Sequence, residues 1–265
     1  MSVKQKKVFG IDEQIAKEIL EVALSTGGDF AEVYMEETTN ETLSLVSGRL
    51  EKADVSKVKG AAVRIIKGSL EVNCSTTICT KEALLEKARV LAGSFNGEKQ
   101  AEVQEFNETI VELHVNPIKI RNENNEFEVS LLQEATKGAK EYSPEIVQVL
   151  ANLTKKDQQM FVFASDGTWA TDHRCNTRIG LNAVASDGKS MQAVNDSFGR
   201  NQGLEMFEGF NAYEFGKEIA ENSVEMLHAD EMTGGEMPVV LHNGFGGVIL
   251  HEACVHGLEA TSVAN

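Results

Sequence analysis

Short runs of alternating apolar and polar residues, separated by glycine turns, most constrain how this chain can fold. Two of these turns, Ser165-Asp166-Gly167 and Ser186-Asp187-Gly188, are Asp-Gly signals that favour tight β-hairpins. We predict strands at 30–37, 41–47, 60–66, 69–78, 146–153, 160–164, 169–184 and 191–200. Such short, turn-connected strands predict antiparallel meanders.

Four other segments have apolar residues at helical spacing: 11–25, 80–92, 127–142 and 212–228. Thr80 can cap the second of them, and Gly27-Gly28 ends the first. Helices next to meanders predict an α+β fold, with a helix-and-antiparallel-meander N-terminal domain and then a mixed, strand-rich middle domain.

The chain is long enough for more than one domain, because its 265 residues exceed an average domain. A polar, glycine-containing stretch at 93–103 lacks any period and is typical of a linker. We predict an α+β domain over 1–100 and a middle α+β domain over 101–232. Residues 233–265, with a short buried strand predicted at 238–241, are too few for a core of their own, so we expect the truncated start of a third, C-terminal domain.

Net charge and composition limit which partners and which cellular location are expected. The formal net charge is −16, so nucleic acid is not an expected partner, and the acidic stretch 123–128 is expected to be solvated. No apolar run is long enough to span a membrane, and the N-terminus lacks the apolar region of a signal peptide. The four cysteines form no CxxC pair. Together these features predict a cytoplasmic protein with free thiols.

The motif with the clearest chemistry is HExxxH at 251–256, at the head of a predicted helix. Zinc peptidases commonly place two histidines four residues apart, so that both imidazoles meet one metal ion. Here the spacing is five, which is about 140° around a regular α-helix. His251 and His256 can bind one ion only if the helix is distorted, for example by a π-bulge.

With such a distortion, the motif would perform metal-dependent hydrolysis. Neutral His251 and His256 would bind zinc, and Glu252 would act as general base toward water. In a regular helix the two histidines would face different sides, and Glu252 would be a solvated surface residue. The spacing alone leaves both readings open.

The segment GGEMPVVLHNGFGGVILHEACVHGLEA at 234–260 resembles the TldD/PmbA family of metallopeptidases, historically described as modulators of DNA gyrase. There the HExxxH helix follows a PVVL strand and a glycine-containing turn. The segments DFAEV at 29–33, GAAVR at 60–64 and FASDGT at 163–168 resemble further parts of the family pattern. Val255 departs from it, because the family usually has glycine at that position.

The resemblance implies a zinc peptidase that acts on unfolded or flexible peptides, as a homo- or hetero-oligomer with a TldD/PmbA-family subunit. By position, His251 and His256 are the implied zinc ligands and Glu252 the catalytic carboxylate. The family's third ligand is a cysteine, expected beyond Asn265. The alternative is a non-catalytic scaffold or partner subunit with a vestigial metal site.

Other candidate residues are weaker. Cys254 and Glu259 lie three residues after His251 and His256 respectively, so either could supply a third ligand. The remaining histidines, His114, His173, His228 and His242, have no partner at metal spacing. The glycine-rich segment 244–247 lacks the Lys-Ser/Thr of a P-loop and is predicted to be a tight turn.

Overall fold

One large β-sheet organises the first of two compact units into which the chain divides, between His228 and Ala229. The computed structural model describes residues 8–111, 125–241, 244 and 246–263. In the first unit the strands are β1 (Phe30–Val46), β2 (Arg49–Lys67), β3 (Leu70–Thr76), β4 (Asn107–Val111), β5 (Ile146–Ala164), β6 (Thr168–Ser186) and β7 (Met191–Arg200). Its α-helices are α1 (Glu13–Leu24), α2 (Lys81–Ala92), α3 (Glu126–Tyr142) and α4 (Ala212–Leu227).

The seven strands follow the order β3-β2-β1-β5-β6-β4, with β7 also paired to β6. All pairs are antiparallel except β4 with β6. The two Asp-Gly turns join β5 to β6 and β6 to β7, with Gly167 and Gly188 at φ of 91° and 85°. The predicted α+β fold is confirmed. Strands from both sides of residue 100 belong to the same sheet, because β1 pairs with β5. The domain boundaries at 100 and 232 stay predictions.

The helices begin and end within two residues of the predicted bounds, but three strands are much longer than predicted. The predicted runs 30–37 and 41–47 form the single strand β1, and 146–153 and 160–164 form β5. Residues 49–59, for which no strand was predicted, belong to β2. The alternation breaks in mid-strand because polar residues occupy both faces there, although the backbone pairing continues.

Two apolar clusters pack on the same face of this sheet. Helices α1 and α2 cover the first cluster, which includes Val33, Phe161 and Trp169. Helices α3 and α4 cover the second, which includes Leu43, Leu153 and Ile179. Side chains two residues apart on a strand share a face, so the intervening odd-numbered residues line the sheet between the clusters. Six of these residues, which we call the polar band, are Glu41, Lys155, Asp157, His173, Cys175 and Thr177.

A buried ion-pair group ties α3 to the polar band. Lys155 Nζ lies 2.8 Å from Glu128 Oε1 and 2.9 Å from Glu41 Oε2. Glu128 is fully buried, so the prediction that the acidic stretch 123–128 is solvated is wrong for this residue. Glu128 is buried because it lies on the inner side of α3, where its carboxylate accepts a hydrogen bond from Lys155 on β5.

Helices α3 and α4 contact each other through backbone at two glycines. A Cβ atom on Gly138 would lie 2.0 Å from the carbonyl oxygen of Tyr213, and one on Gly216 would lie 1.8 Å from that of Ala135. No side chain larger than hydrogen fits at either position in this packing.

The second unit contains only short elements among its described residues: α5 (Gly247–Leu250), a π-helical turn at His251–Val255, a 3-10 turn at His256–Leu258 and α6 (Ala260–Val263). The strand predicted at 238–241 is not formed. Val239 and Val240 are 72% and 95% exposed, and no described residue pairs with this segment, although a strand needs such a partner. Among the described residues, no helix has both the length and the apolar character needed to cross a lipid bilayer.

Candidate metal centre

The HExxxH motif lies on a helix that widens at the motif itself. Gly244, at φ of 87°, accepts a hydrogen bond from the amide of Gly247, so the predicted tight turn precedes α5. After α5 the backbone continues as a π-turn, and the amide of His256 donates to the carbonyl oxygen of His251. This hydrogen bond spans five residues, as in a π-helix, rather than the four of an α-helix.

The π-turn brings the two histidines together. Their ring centroids are 4.4 Å apart, with the ring planes at 75°. One donor atom each from His251, Glu252 and His256 lie within 4.8 Å of one another. The distortion that the five-residue spacing requires is therefore present. Val255, the departure from the family pattern, adopts helical φ and ψ of −69° and −44° and does not interrupt the turn.

Glu259 contacts the motif from the following turn. Its Oε1 lies 2.6 Å from Nδ1 of His256, while Nε2 of the same ring lies 3.5 Å from Glu252 Oε2. A carboxylate at Nδ1 leaves Nε2 as the nitrogen free to bind a metal, which is a common arrangement around metal-ligating histidines. Cys254 is exposed and does not belong to the group of mutually close donor atoms.

The donor set of this turn fits a zinc ion. Two imidazoles and a carboxylate are ligand types that zinc accepts, and a carboxylate beside two histidines can also serve as a base. The side chains of His256, Glu252 and Glu259 are 49%, 64% and 52% exposed, so metal and water can reach them.

The structure corrects the sequence interpretation of His173. It was predicted to lack a partner at metal spacing, but its Nε2 is hydrogen-bonded to Asp157 Oδ1 and lies 3.8 Å from Cys175 Sγ. The adjacent Asp172, by contrast, pairs with Arg174 and not with this cluster. His173 and Cys175 are two residues apart on β6 and so share a face, a signal visible in the sequence. Asp157 comes from β5, and its proximity depends on the strand register.

The remaining candidate ligands are the other histidines and the cysteines. His228 lies 3.0 Å from the carboxylate of Glu145, which is an exposed ion-pair geometry. His114 and His242 fall outside the described residues. All four cysteines are free thiols. Burial, helped by the carboxylate of Asp157, raises the pKa of Cys175 to about 12, so this thiol is protonated at neutral pH.

Two family models match the chain. The model of PmbA/TldA metallopeptidase domain 1 matches residues 31–92, and that of the PmbA/TldA metallopeptidase central domain matches residues 118–227. Together they account for more than half of the chain.

Curated relatives agree with these matches. A metalloprotease TldD homologue from Haemophilus influenzae is 26% identical over 243 residues, which cover 87% of this chain and 50% of the relative. A metalloprotease from Methanothermobacter thermautotrophicus is 29% identical over 115 residues, which cover 43% of this chain and 25% of the relative. The chain spans about half the length of the TldD homologues that it matches.

Solved structures share the fold. A proposed modulator of DNA gyrase from Bacteroides thetaiotaomicron has a TM-score of 0.67 at 11% identity, over 83% of this chain and 51% of that one. A similar Thermotoga maritima protein gives 0.64 at 15% identity, over 84% and 50%. TldE from Thermococcus kodakarensis gives 0.51 at 14% identity, over 80% and 47%. On the matches of both domain models, the chain belongs to the TldD/PmbA family of metallopeptidases and carries its N-terminal part.

Proposed function

We propose that this chain contributes the HExxxH helix of a TldD-like zinc peptidase. The observation that carries the proposal is the π-turn at 251–255, which brings the rings of His251 and His256 to 4.4 Å with Glu252 beside them. A regular helix would separate the same rings by about 140° of rotation. The membership of the chain in a metallopeptidase family supports the same assignment.

His251 and His256 would hold the zinc ion, each through one imidazole nitrogen. Bound zinc supplies Lewis-acid polarisation of a carbonyl group and lowers the pKa of water toward neutrality. Glu252 accepts a proton from the attacking water and delivers it to the leaving amine. Glu259, which contacts Nδ1 of His256, would orient that ring and leave Nε2 available to bind zinc. Glu259 is thus a positioning residue in this proposal rather than a third ligand.

The proposed substrates are unfolded or flexible peptides. An extended chain can add to a sheet edge through backbone hydrogen bonds, which gives affinity with little sequence preference. Residues 49–59 of β2 offer such an edge, because among the described residues they pair only with β1. A related TldD/PmbA-family subunit is the proposed partner, since TldE is one of the structural neighbours. The cytoplasmic location stays a prediction.

The substitution Glu252→Gln tests the catalytic assignment. Glutamine keeps the shape of the side chain but cannot accept the proton, so peptide cleavage should fall by about 100-fold or more while zinc binding is retained. Cleavage of a flexible reporter peptide and zinc content are measured on the same preparations, with Glu231→Gln as an exposed control. Turnover that survives Glu252→Gln would contradict the mechanism.

A non-catalytic scaffold with a vestigial motif is the alternative. It is not favoured, because the curated relatives are named metalloproteases and the motif keeps both histidines close together. The two proposals differ in one outcome: a scaffold keeps its association with a family subunit and shows no Glu252-dependent cleavage.

A further inference from the structure

A second group of metal-type donors lies on the sheet itself, in the polar band between the two apolar clusters. Asp157 on β5 is the direct cross-strand partner of Cys175 on β6. His173 precedes Cys175 by two residues and therefore shares its face. Strands β5 and β6 pair along almost their whole lengths, so the sheet holds these three side chains in a fixed register.

The separations between the three donors resemble those around one tetrahedral zinc ion. The Sγ atom of Cys175 lies 3.6 Å from Asp157 Oδ1 and 3.8 Å from His173 Nε2. In a tetrahedral zinc site, sulfur and nitrogen or oxygen ligands are about 3.6 Å apart, and nitrogen and oxygen ligands about 3.3 Å apart. Only the contact of His173 with Asp157 is shorter, and small side-chain rotations of these two residues would open it.

The surroundings of the group suit a bound cation. Cys175 is only 2% exposed, whereas the side chains of His173 and Asp157 are 36% and 25% exposed, which leaves a route for an ion from solvent. Thr177, next on the same face of β6, is 1% exposed, and its hydroxyl has no hydrogen-bond partner among the described residues. A buried hydroxyl without a partner is uncommon and is consistent with a further polar ligand or water in this space.

We propose that Asp157, His173 and Cys175 form a second metal site, which binds a borderline-soft divalent cation such as Zn²⁺. Nitrogen, oxygen and sulfur donors together favour zinc over magnesium or calcium, which take oxygen ligands. On binding, the thiol of Cys175 releases its proton to solvent and its sulfur bonds to the ion. The ion then links β5 to β6 between the two clusters. This site is independent of the HExxxH helix and of the proposed peptidase activity.

Cobalt is the probe, because Co²⁺ occupies zinc sites and a thiolate ligand gives it an intense near-ultraviolet charge-transfer band. The full chain carries His251→Ala and Cys254→Ser, so that the HExxxH turn contributes neither a complete ligand pair nor a thiolate. Titration with Co²⁺ should produce the band, saturating at about one ion per chain. Added Zn²⁺ should displace the cobalt and remove the band.

Three further substitutions, each made in that background, test the assignment. Cys175→Ser should abolish the band, while the matched control Cys79→Ser should retain it. His173→Gln and Asp157→Asn, which keep side-chain size, should each weaken cobalt affinity about tenfold or more. Far-ultraviolet circular dichroism verifies that each variant is folded. Absence of the band in the background protein, or its persistence in folded Cys175→Ser, would overturn the proposal.

Discussion

His256 has its two ring nitrogens in different environments, and this difference determines what the residue can do. Glu259 occupies Nδ1 at 2.6 Å, and Nε2 faces Glu252 at 3.5 Å. In many metal sites the partner of the non-ligating nitrogen fixes the orientation of the ring and increases its basicity. Glu259 would have this role in the proposed zinc site, although it binds no metal itself.

Glu259→Ala should therefore weaken zinc binding by about 10- to 100-fold without removing a ligand. Competition with a chelating dye measures the affinity. Glu231→Ala removes another exposed carboxylate and serves as the control for the change in charge. If both variants bind zinc equally well, Glu259 does not position His256.

Lys155 is the other residue whose surroundings determine its role. It is 2% exposed and contacts both Glu128 and Glu41, so it balances carboxylate charge beneath α3. Removing one partner of a buried ion pair leaves an uncompensated charge in a medium that solvates it poorly.

Lys155→Met should lower the free energy of unfolding by about 3–5 kcal/mol. Lys217→Met is the matched control, because Lys217 forms an exposed ion pair with Glu214 at 3.3 Å and should contribute less than about 1 kcal/mol. Urea denaturation of both variants gives the comparison. Equal effects would show that burial of the Lys155 group does not make it important for stability.

Helices α3 and α4 approach each other closely, and glycine permits that approach. Alanine is the better helix former by about 1 kcal/mol, so the glycines at 138 and 216 lower the intrinsic stability of their helices. They are explained by the backbone contacts with Tyr213 and Ala135, which leave no space for a Cβ atom. Both helices contribute residues to the second apolar cluster.

Gly216→Ala should destabilise the protein by about 1–3 kcal/mol, despite the higher helix propensity of alanine, because the two helices must move apart. The control is Gly234→Ala, where an added Cβ meets nothing within 4 Å. The midpoint of urea unfolding measures both. A gain in stability for Gly216→Ala would mean that the helices separate at little cost.

The accuracy of the sequence predictions also differs between elements. The helices were predicted well because their ends are local: Thr80 caps α2 by accepting a hydrogen bond from the amide of Ala83. The strands β1 and β5 were each divided in two, since their central residues are polar on both faces. Pairing between strands, which the sequence does not display, keeps them continuous there.

At the scale of the whole molecule, the two candidate metal sites differ in how far apart their residues lie in the sequence, and this determines how well each could be predicted. The HExxxH turn is contiguous in sequence, and its spacing alone indicated that a distortion was required. The group of Asp157, His173 and Cys175 depends on the register of β5 against β6, which brings residues 16 and 18 positions apart together. The pair His173 and Cys175 was visible as a two-residue spacing on a strand, but its third member was not.

The most direct test of the central proposal is the coupling between His251 and His256 in zinc binding. Affinities are measured for the two alanine variants and the double variant, all carrying Cys175→Ser so that the proposed sheet site does not contribute. If the histidines share one ion, each single substitution should weaken binding at least about tenfold, and the double variant should bind little worse than either single one. Unchanged affinity in the single variants, or losses that simply add, would contradict a shared zinc site in the π-turn.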